Sequence, residues 1–254
     1  MGVEGQKRKK VVRDRHMDQI SVMVPQRSEE VPASQVAATT MGVSIVSREG
    51  VQEPSILYHG IKRLLDIVLS ISGILVLMPV FVIIALWIKF DDGGPVFHFR
   101  EIIGMHGRRF YALKFRTMIR NADEFLAKHP ELMRKYQQNM KLIGDPRITR
   151  AGKFLRKTSL DELPQLFNVL IGQMSLVGPR IIHPSELPRY GEHAQKRLSV
   201  KPGITGLWQI SGRQHISYDE RVRLDMHYID HRSCMSDLVI LLKTVKVFIV
   251  HTGA

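Results

Sequence analysis

The chain has 254 residues, which is long enough for one well-buried core but short for two independent domains. Its formal net charge is +13, and residues 91–254 hold most of the excess, with 26 Lys and Arg against 16 Asp and Glu. A basic tail is therefore excluded as the main source of charge, and phosphate-bearing molecules or anionic lipids are the expected partners. The single cysteine, Cys234, excludes an internal disulfide, and no Cys/His spacing typical of a metal site occurs.

The first third of the chain changes abruptly from polar to apolar. Residues 1–55 are polar, contain a basic run at 7–10 and show no sustained periodicity, so we predict a disordered lead. From Ile67 to Ile88 the chain has 22 residues without a charge. As a helix this run is about 33 Å long, enough to cross a bilayer core. We therefore assign residues 56–90 to a membrane helix.

The charged residues on either side of this helix do not determine its membrane topology. Lys62 and Arg63 precede the apolar run and Lys89 follows it, so the positive-inside rule gives no asymmetry. Pro79 lies in its interior, where it removes one helix hydrogen bond. A re-entrant helix that bends at Pro79 and an ordinary kinked span are both compatible with this pattern.

The remainder, residues 91–254, shows helical periodicity with one region of strand alternation. These patterns predict an α+β, mainly helical fold with a small β-hairpin. In chain order we expect a turn at 91–95, a hairpin over 96–118 around Gly104 and Gly107, helices at 121–141, 151–157 and 218–229, and an interfacial helix at 237–250.

Two adjacent carboxylates, Asp161 and Glu162, stand out in the stretch RKTSLDELPQLFNVL. Their spacing from Thr158 and Ser159 fits two capping boxes, so a structural role as a helix cap is one interpretation. Pro164 is tolerated only in a first helical turn and predicts a helix start near residue 160 or 161. Carboxylates at a helix start surrounded by basic residues also suit phosphate chemistry, which is the other interpretation.

From about Lys62 onwards the chain resembles the bacterial sugar transferases, the monotopic phosphoglycosyl transferases that act on polyprenyl phosphate. The strings that carry the resemblance are KRLLD, LKFRTM, DPRIT, LRKTSLDELPQLFNVLIGQMSLVGPR and KPGITGLWQISGR, in this order. Each string alone is weak evidence, but the ordered set is specific and covers roughly three quarters of the chain.

The resemblance implies transfer of hexose 1-phosphate from a UDP-sugar to undecaprenyl phosphate, with release of UMP. Family members use a covalent phosphosugar intermediate and Mg²⁺, so Asp161 is the expected nucleophile and Glu162 its partner, as metal ligand, helix cap or both. The resemblance also implies a re-entrant membrane helix broken at Pro79, with Lys62 and Arg63 at its start. The catalytic domain, residues 91–254, is then expected on the cytoplasmic face of the bacterial inner membrane.

The resemblance further implies a set of substrate-binding residues: Arg180, Arg213, Lys114, Arg116, Arg147 and Trp208, with Asp145 beside them. Arg180 follows a tight Gly-Pro turn that suits a phosphate contact, with an ordinary loop arginine as the alternative. Trp208 is either a platform for substrate or a core residue. Where the family commonly has a proline after this arginine, the chain has Ile181, and we expect a less rigid loop.

Two other functions compete with the transferase. A membrane-tethered basic module binding nucleic acid or anionic lipid fits the net charge, but the sequence has no nucleic-acid motif and we expect no nucleic-acid partner. A non-catalytic scaffold of a polysaccharide assembly complex would tolerate a damaged Asp-Glu pair, whereas here the pair is intact. The WQISGR string is most similar to galactose or glucose transferases of exopolysaccharide synthesis. The sequence decides neither between these hexoses nor whether the protein forms a homo-oligomer.

Overall fold

The structure, a computed structural model, describes residues 54–139, 142, 144–211 and 216–250. Nearly all of the predicted disordered lead, and Arg213, lie outside these residues. The helices are α1 (Ile56–Asp92), α2 (Ala122–Ala127), α3 (Pro130–Asn139), α4 (Arg150–Thr158), α5 (Gln165–Leu170), α6 (Ala194–Arg197), α7 (Leu207–Ile210), α8 (Tyr218–His231) and α9 (Cys234–Val250). The strands are β1 (Phe97–Ile103), β2 (Arg109–Phe115), β3 (Ser175–Val177) and β4 (Gly203–Thr205). The prediction of a mainly helical fold with a small hairpin is confirmed.

Helix α1 is one continuous helix of 37 residues that includes Pro79, so the expected break of the helix at Pro79 is wrong. Its first turn is capped by the side chain of Ser55, which accepts a hydrogen bond from the Tyr58 amide, and its last turn closes on Gly93 in the left-handed conformation. It is long and apolar enough to cross a membrane, and only 22% of its most apolar window is buried against the protein. Its exposed apolar face is therefore available to lipid.

Strands β1 and β2 form the predicted antiparallel hairpin. The register pairs His98 with Lys114 and Arg100 with Ala112. Because opposite residues of an antiparallel pair lie on the same face, His98, Arg100 and Lys114 share one face. Apolar residues farther along that face are buried in the core. One end of this face is therefore apolar and buried, and the other end carries the three basic residues.

The predicted single helix at 121–141 is wrong. The structure has two helices, α2 and α3, and the second begins at Pro130. Proline lacks the amide that would continue the hydrogen-bond ladder and clashes with the preceding turn, so α2 ends and the chain restarts as α3.

A short parallel pair, β3 and β4, was not predicted. It joins the turn at Gly178-Pro179 to the turn at Pro202-Gly203, because the amide of Gly203 donates to the Pro179 carbonyl at 2.8 Å and the Gly178 amide donates to the Thr205 carbonyl at 2.9 Å. A Cβ on Gly203 would lie 2.2 Å from the backbone nitrogen of Gly178, so only glycine permits this approach. The loop that carries Arg180 is thereby fixed to β4.

Two hydrophobic clusters form the core. The larger unites the hairpin, α5, β3, α8 and α9 around residues such as Ile102, Val169 and Met226. The smaller joins the second half of α1 to α4, with Phe81, Ile84 and Ile88 packed against Phe115 and Leu155. Helix α1 thus packs against the rest of the protein along both of its halves.

A buried polar network fastens the first half of α1 to α9. Asp237 accepts hydrogen bonds from Lys62 at 2.7 Å, from Tyr228 at 2.8 Å and from Tyr58 at 3.1 Å. The ammonium of Lys62 also donates to the Val177 carbonyl at 2.9 Å. Asp237 is the shared acceptor that links α1, α8 and α9.

We expect Asp237→Asn to destabilise the protein by about 3 kcal/mol, because it removes the charge that partners a largely buried lysine. The thermal midpoint in detergent should fall by roughly 5–10 °C. Glu131→Gln is the matched control, since the Glu131 pair with Arg134 is exposed and 3.9 Å long, and its midpoint should change by less than about 2 °C. Equal midpoints for the two variants would contradict the prediction.

Candidate active site

The two carboxylates singled out in the sequence lie on a 3₁₀ turn, Leu160–Glu162, and not in the first turn of an α-helix. Helix α5 begins later, at Gln165, with Pro164 as its N-cap residue. The predicted helix start near residue 160 is therefore wrong. The macrodipole argument for an anion site weakens accordingly, because that effect fades within one turn.

The predicted capping boxes are absent from this turn. Ser159 ends α4 in the left-handed conformation, with φ of 56°, and its side chain makes no capping hydrogen bond. The Thr158 hydroxyl donates back to the Phe154 carbonyl at 2.9 Å. A left-handed residue reverses the chain sharply, so Ser159 directs Asp161 and Glu162 away from α4.

Glu162 is held by the hairpin and does not cap a helix. Its Oε1 accepts a hydrogen bond from Lys114 Nζ at 2.5 Å. Lys114 is mostly buried, with 14% of its side chain exposed, whereas 36% of the Glu162 side chain is exposed. One carboxylate oxygen of Glu162, Oε1, is therefore engaged by this ion pair.

The two carboxyl groups have opposite pKa shifts. Burial raises the pKa of Asp161 to about 6; the charge of Lys114 opposes this shift and the charge of Glu162 adds to it. Burial alone would raise the pKa of Glu162, but the charge and hydrogen bond of Lys114 hold it below its ordinary value. Neighbouring carboxyl groups with separated pKa values are typical of functional sites.

We expect the Asp161 carboxyl to titrate near pH 6 in the metal-free protein, as followed by carboxyl ¹³C NMR against Asp161→Asn as reference. Glu162→Gln removes a neighbouring negative charge and should lower the titration midpoint, whereas Lys114→Met removes a positive charge and should raise it. A midpoint near about 4 in all three proteins would contradict the assigned environment.

Arg156 approaches the turn from α4. Its Nε donates to the Thr117 hydroxyl at 2.8 Å, and its charge favours the ionised form of Asp161. Arg100, on the hairpin, donates a hydrogen bond to Glu186 at 3.2 Å, and its charge favours the ionised form of the Glu162 carboxyl. Together with Lys114, these side chains make the surroundings of the carboxylates strongly basic, which suits a phosphate-bearing substrate.

Arg180 lies on the loop after β3, and its backbone is held on several sides. The Arg197 guanidinium, fully buried, donates to the Arg180 carbonyl at 2.5 Å. Ile181 and Ile182 are buried, and the Ile182 carbonyl accepts from the Ile103 amide at 3.1 Å. Hydrogen bonds and apolar packing therefore hold this loop in the absence of the proline, while its lower rigidity stays a prediction.

Trp208 is both buried and in contact with arginines. Only 6% of it is exposed, and its ring lies 4.7 Å from the Arg180 guanidinium and 5.0 Å from that of Arg221. The two interpretations of Trp208 therefore do not exclude each other. The ring is buried in the protein and also stacks on Arg180, whose positive charge lowers the pKa of Glu162.

Two other predicted binding residues are engaged in ion pairs. Arg147 forms a buried bidentate pair with Asp145, with bonds of 2.9 and 2.7 Å, and lies over the Tyr136 ring. Arg116 pairs with Asp92 at the end of α1. In this structure both stabilise the scaffold around the carboxylates.

The residues assigned to the membrane anchor also contact the protein. Arg63 donates to the carbonyls of Val169 at 2.7 Å and Leu170 at 2.8 Å, at the end of α5. Lys62 belongs to the Asp237 network. Pro79 lies within the continuous helix α1.

Sequence reasoning missed Arg100, Arg197 and Arg221. Strand alternation could have identified Arg100, since it shares a face with Lys114. No local pattern marks Arg197 or Arg221, because their partners are distant in the chain.

The two carboxylates could supply two of the ligands of a magnesium ion. No cluster of three or more His, Cys, Asp or Glu suited to a metal occurs among residues 54–139, 142, 144–211 and 216–250. Asp161 and Glu162 provide two carboxylates, and one oxygen of Glu162 is taken by Lys114. Mg²⁺ commonly binds one or two carboxylates together with substrate phosphate oxygens and water, so the pair fits a metal that binds with a diphosphate.

Comparison with known proteins places this site in a family. The bacterial sugar transferase model matches residues 57–251. The chain is 47% identical to an undecaprenyl-phosphate galactose phosphotransferase of Salmonella typhimurium over 76% of its length, and it spans 41% of that relative. It is 43% identical to the exopolysaccharide production protein ExoY of Sinorhizobium fredii, with 76% of this chain and 87% of ExoY covered. The chain therefore belongs to the bacterial sugar transferase family.

Proposed function

We propose that this protein transfers hexose 1-phosphate from a UDP-hexose to undecaprenyl phosphate, releases UMP and so initiates exopolysaccharide assembly. The observation that carries the proposal is the Asp161–Glu162 turn surrounded by Lys114, Arg156 and Arg180. The names of relatives support the substrates: besides the galactose enzyme, a relative from Xanthomonas campestris, 38% identical over 73% of this chain, is a UDP-glucose:undecaprenyl-phosphate glucose-1-phosphate transferase. Galactose and glucose are therefore the candidate hexoses.

In the first step the Asp161 carboxylate attacks the phosphorus that bears the hexose. A bond forms between a carboxylate oxygen and this phosphorus, and the bond to the bridging oxygen breaks, so UMP leaves with that oxygen. In the second step a phosphate oxygen of undecaprenyl phosphate attacks the same phosphorus. The acyl phosphate bond breaks, Asp161 regains its carboxylate, and the lipid-linked diphosphate sugar is formed.

The basic residues around the turn stabilise the charge that moves during both steps. Arg156 lies beside Asp161, and Arg180 and Arg100 act on Glu162 from the other side. Lys114 is oriented by its bond to Glu162, so a positive charge remains next to the reacting phosphoryl group. Charge fixed in advance stabilises a transition state more effectively than mobile water does.

We propose Mg²⁺ as cofactor, held by Glu162 and Asp161 together with substrate phosphate oxygens. When bound it neutralises phosphate charge, which helps the leaving nucleotide to depart. Glu162 keeps one oxygen for Lys114 and has the other for the metal. Glu162 then acts as a metal ligand and as the acceptor for Lys114, and not as a helix cap.

We propose that α1 inserts into the cytoplasmic leaflet of the inner membrane and keeps both of its ends on the cytoplasmic side. Support comes from contacts at both of its ends: Arg63 bonds α5, and Asp91 accepts a hydrogen bond from the Ala151 amide at 3.1 Å. A helix whose two ends bind the same catalytic part cannot place them on opposite sides of a bilayer. Apolar side chains exposed on α9, such as Met235 and Leu242, lie in the same interface.

The topology is tested with single cysteines in a Cys234→Ser background. Ser55→Cys precedes α1, and Arg108→Cys lies beyond it in the hairpin turn. In intact cells a membrane-impermeant maleimide should label neither, and both should react after lysis. Labelling of only one of the two in intact cells would establish an ordinary span.

The chemistry is tested by a half-reaction without lipid acceptor. Detergent-solubilised protein is incubated with Mg²⁺ and UDP-galactose or UDP-glucose labelled with ³²P in the phosphate next to the sugar. We expect about one UMP per active enzyme and a labelled protein adduct, as covalent catalysis requires. Undecaprenyl phosphate should then remove the label. UMP release that begins only when the lipid is added would instead indicate direct transfer.

A further inference from the structure

Arg180 belongs to a cluster of arginines and aromatic rings whose other members are Arg189, Trp208, Tyr218 and Arg221. Trp208 contacts the guanidinium groups of Arg180 and Arg221. Arg189 lies 3.6 Å from the Tyr218 ring centroid. The cluster extends from the Glu162 side of the site, since the charge of Arg180 acts on that carboxylate.

Three buried polar atoms of this arginine–aromatic cluster can donate a hydrogen bond but have no acceptor in the part of the chain that the structure describes. Among the described residues, the Arg221 Nε, the Trp208 indole nitrogen and the Tyr218 hydroxyl make no hydrogen bond. A buried donor without an acceptor costs about 1–3 kcal/mol, so three of them close together are unfavourable unless an acceptor arrives.

The cluster also carries more positive than negative charge: Arg180, Arg189 and Arg221 have Glu186 and Asp225 as nearby carboxylates. Burial and the charges of Arg180 and Arg189 lower the pKa of Arg221, so the guanidinium groups repel one another. The nearby carboxylates are engaged mainly elsewhere: Glu186 accepts from Arg100 and from the His183 amide, and Asp225 accepts from Tyr190 through Oδ2, while its Oδ1 makes no hydrogen bond to any described residue. The missing partner is therefore an anion that accepts several hydrogen bonds.

We infer that the arginine–aromatic cluster is a phosphate-binding site, with Arg221 and Arg189 as phosphate-binding residues in addition to Arg180. A phosphate group supplies several strong acceptor oxygens and negative charge together, which matches the set of free donors. The inference rests on the proposed function for the source of the phosphate, which is either the departing nucleotide or the lipid acceptor.

Binding is measured in Asp161→Asn protein in detergent, so that no transfer occurs and the chemistry does not affect the result. The probes are UMP, a short-chain polyprenyl phosphate and uridine, titrated by calorimetry. Arg221→Gln should weaken one of the two phosphate probes about tenfold, Arg221→Lys should weaken it less, and uridine binding should not change. The affected probe identifies the source of the phosphate.

Arg223→Gln is the matched control, since Arg223 lies on the same helix, is exposed and pairs with Glu220 at 2.8 Å. Its affinities should equal those of the parent. A second readout is Trp208 fluorescence in a Trp87→Phe protein, which should respond to the affected probe and lose that response with Arg221→Gln.

Unchanged affinity for both phosphate probes in folded Arg221→Gln would overturn the inference. So would an equal loss for uridine, because the cluster would then recognise the base. Failure of the proposed function has a different signature, namely no labelled adduct in the half-reaction.

Discussion

Asp161→Asn is expected to lower turnover by about 10⁴-fold or more, because an amide is a poor nucleophile and cannot form the acyl phosphate. The side chains have nearly the same size, and the turn that carries them is fixed by backbone bonds, including the Glu162 amide to the Ser159 carbonyl at 3.2 Å. The fold should therefore persist. Turnover is measured as labelled lipid product, and adduct formation as protein-bound ³²P.

The control for this substitution is Asp219→Asn, which changes an exposed carboxylate in the first turn of α8. Its turnover should stay within about twofold of the parent. Glu162→Gln should behave differently from both, with a slow but detectable adduct, because it leaves the nucleophile in place. Full turnover by Asp161→Asn would exclude Asp161 as the nucleophile.

Gly152→Ala is expected to destabilise the protein by about 3 kcal/mol and to lower turnover about 100-fold. A Cβ on Gly152 would lie 2.0 Å from the Thr117 carbonyl oxygen, a backbone atom that cannot rotate away. The Gly152 amide is also bonded to the Thr149 side chain that caps α4, at 3.0 Å. Helix α4 must therefore move, and with it Arg156 and the turn that carries Asp161.

The comparison for this variant is Gly60→Ala on α1, where a Cβ would meet nothing within 4 Å. Alanine there should be neutral or stabilise by up to about 1 kcal/mol, since it favours the helix. Thermal midpoints in detergent and turnover are measured for both variants. If Gly152→Ala matched Gly60→Ala in both measurements, the position of α4 would not depend on this contact.

Local patterns in the sequence predicted several elements correctly. The alternation around Gly104 and Gly107 predicted the hairpin, because a strand exposes every second residue to one face. The uncharged run from Ile67 to Ile88 predicted the long apolar helix. Pro130 was overlooked as a helix start within 121–141, although its missing amide is a local signal.

The surroundings of the carboxylates could not be predicted in the same way. Lys114 and Glu162 are 48 residues apart, and Arg180 and Arg197, which also meet through a hydrogen bond, are 17 residues apart. The capping boxes at Thr158 and Ser159 were a reasonable local prediction. They do not form in the structure, because Ser159 has a left-handed conformation and makes no capping hydrogen bond, and the Glu162 carboxylate is bonded to Lys114.

The sequence by itself determined the residue types that carry the chemistry, the apolar helix and the family, since these depend on local order along the chain. Only the tertiary structure decided that Glu162 pairs with Lys114, that the pKa of Asp161 rises to about 6, and that both ends of α1 bind one catalytic part. The physical reason is that burial and charge act between residues distant in sequence, and chain order does not specify those distances.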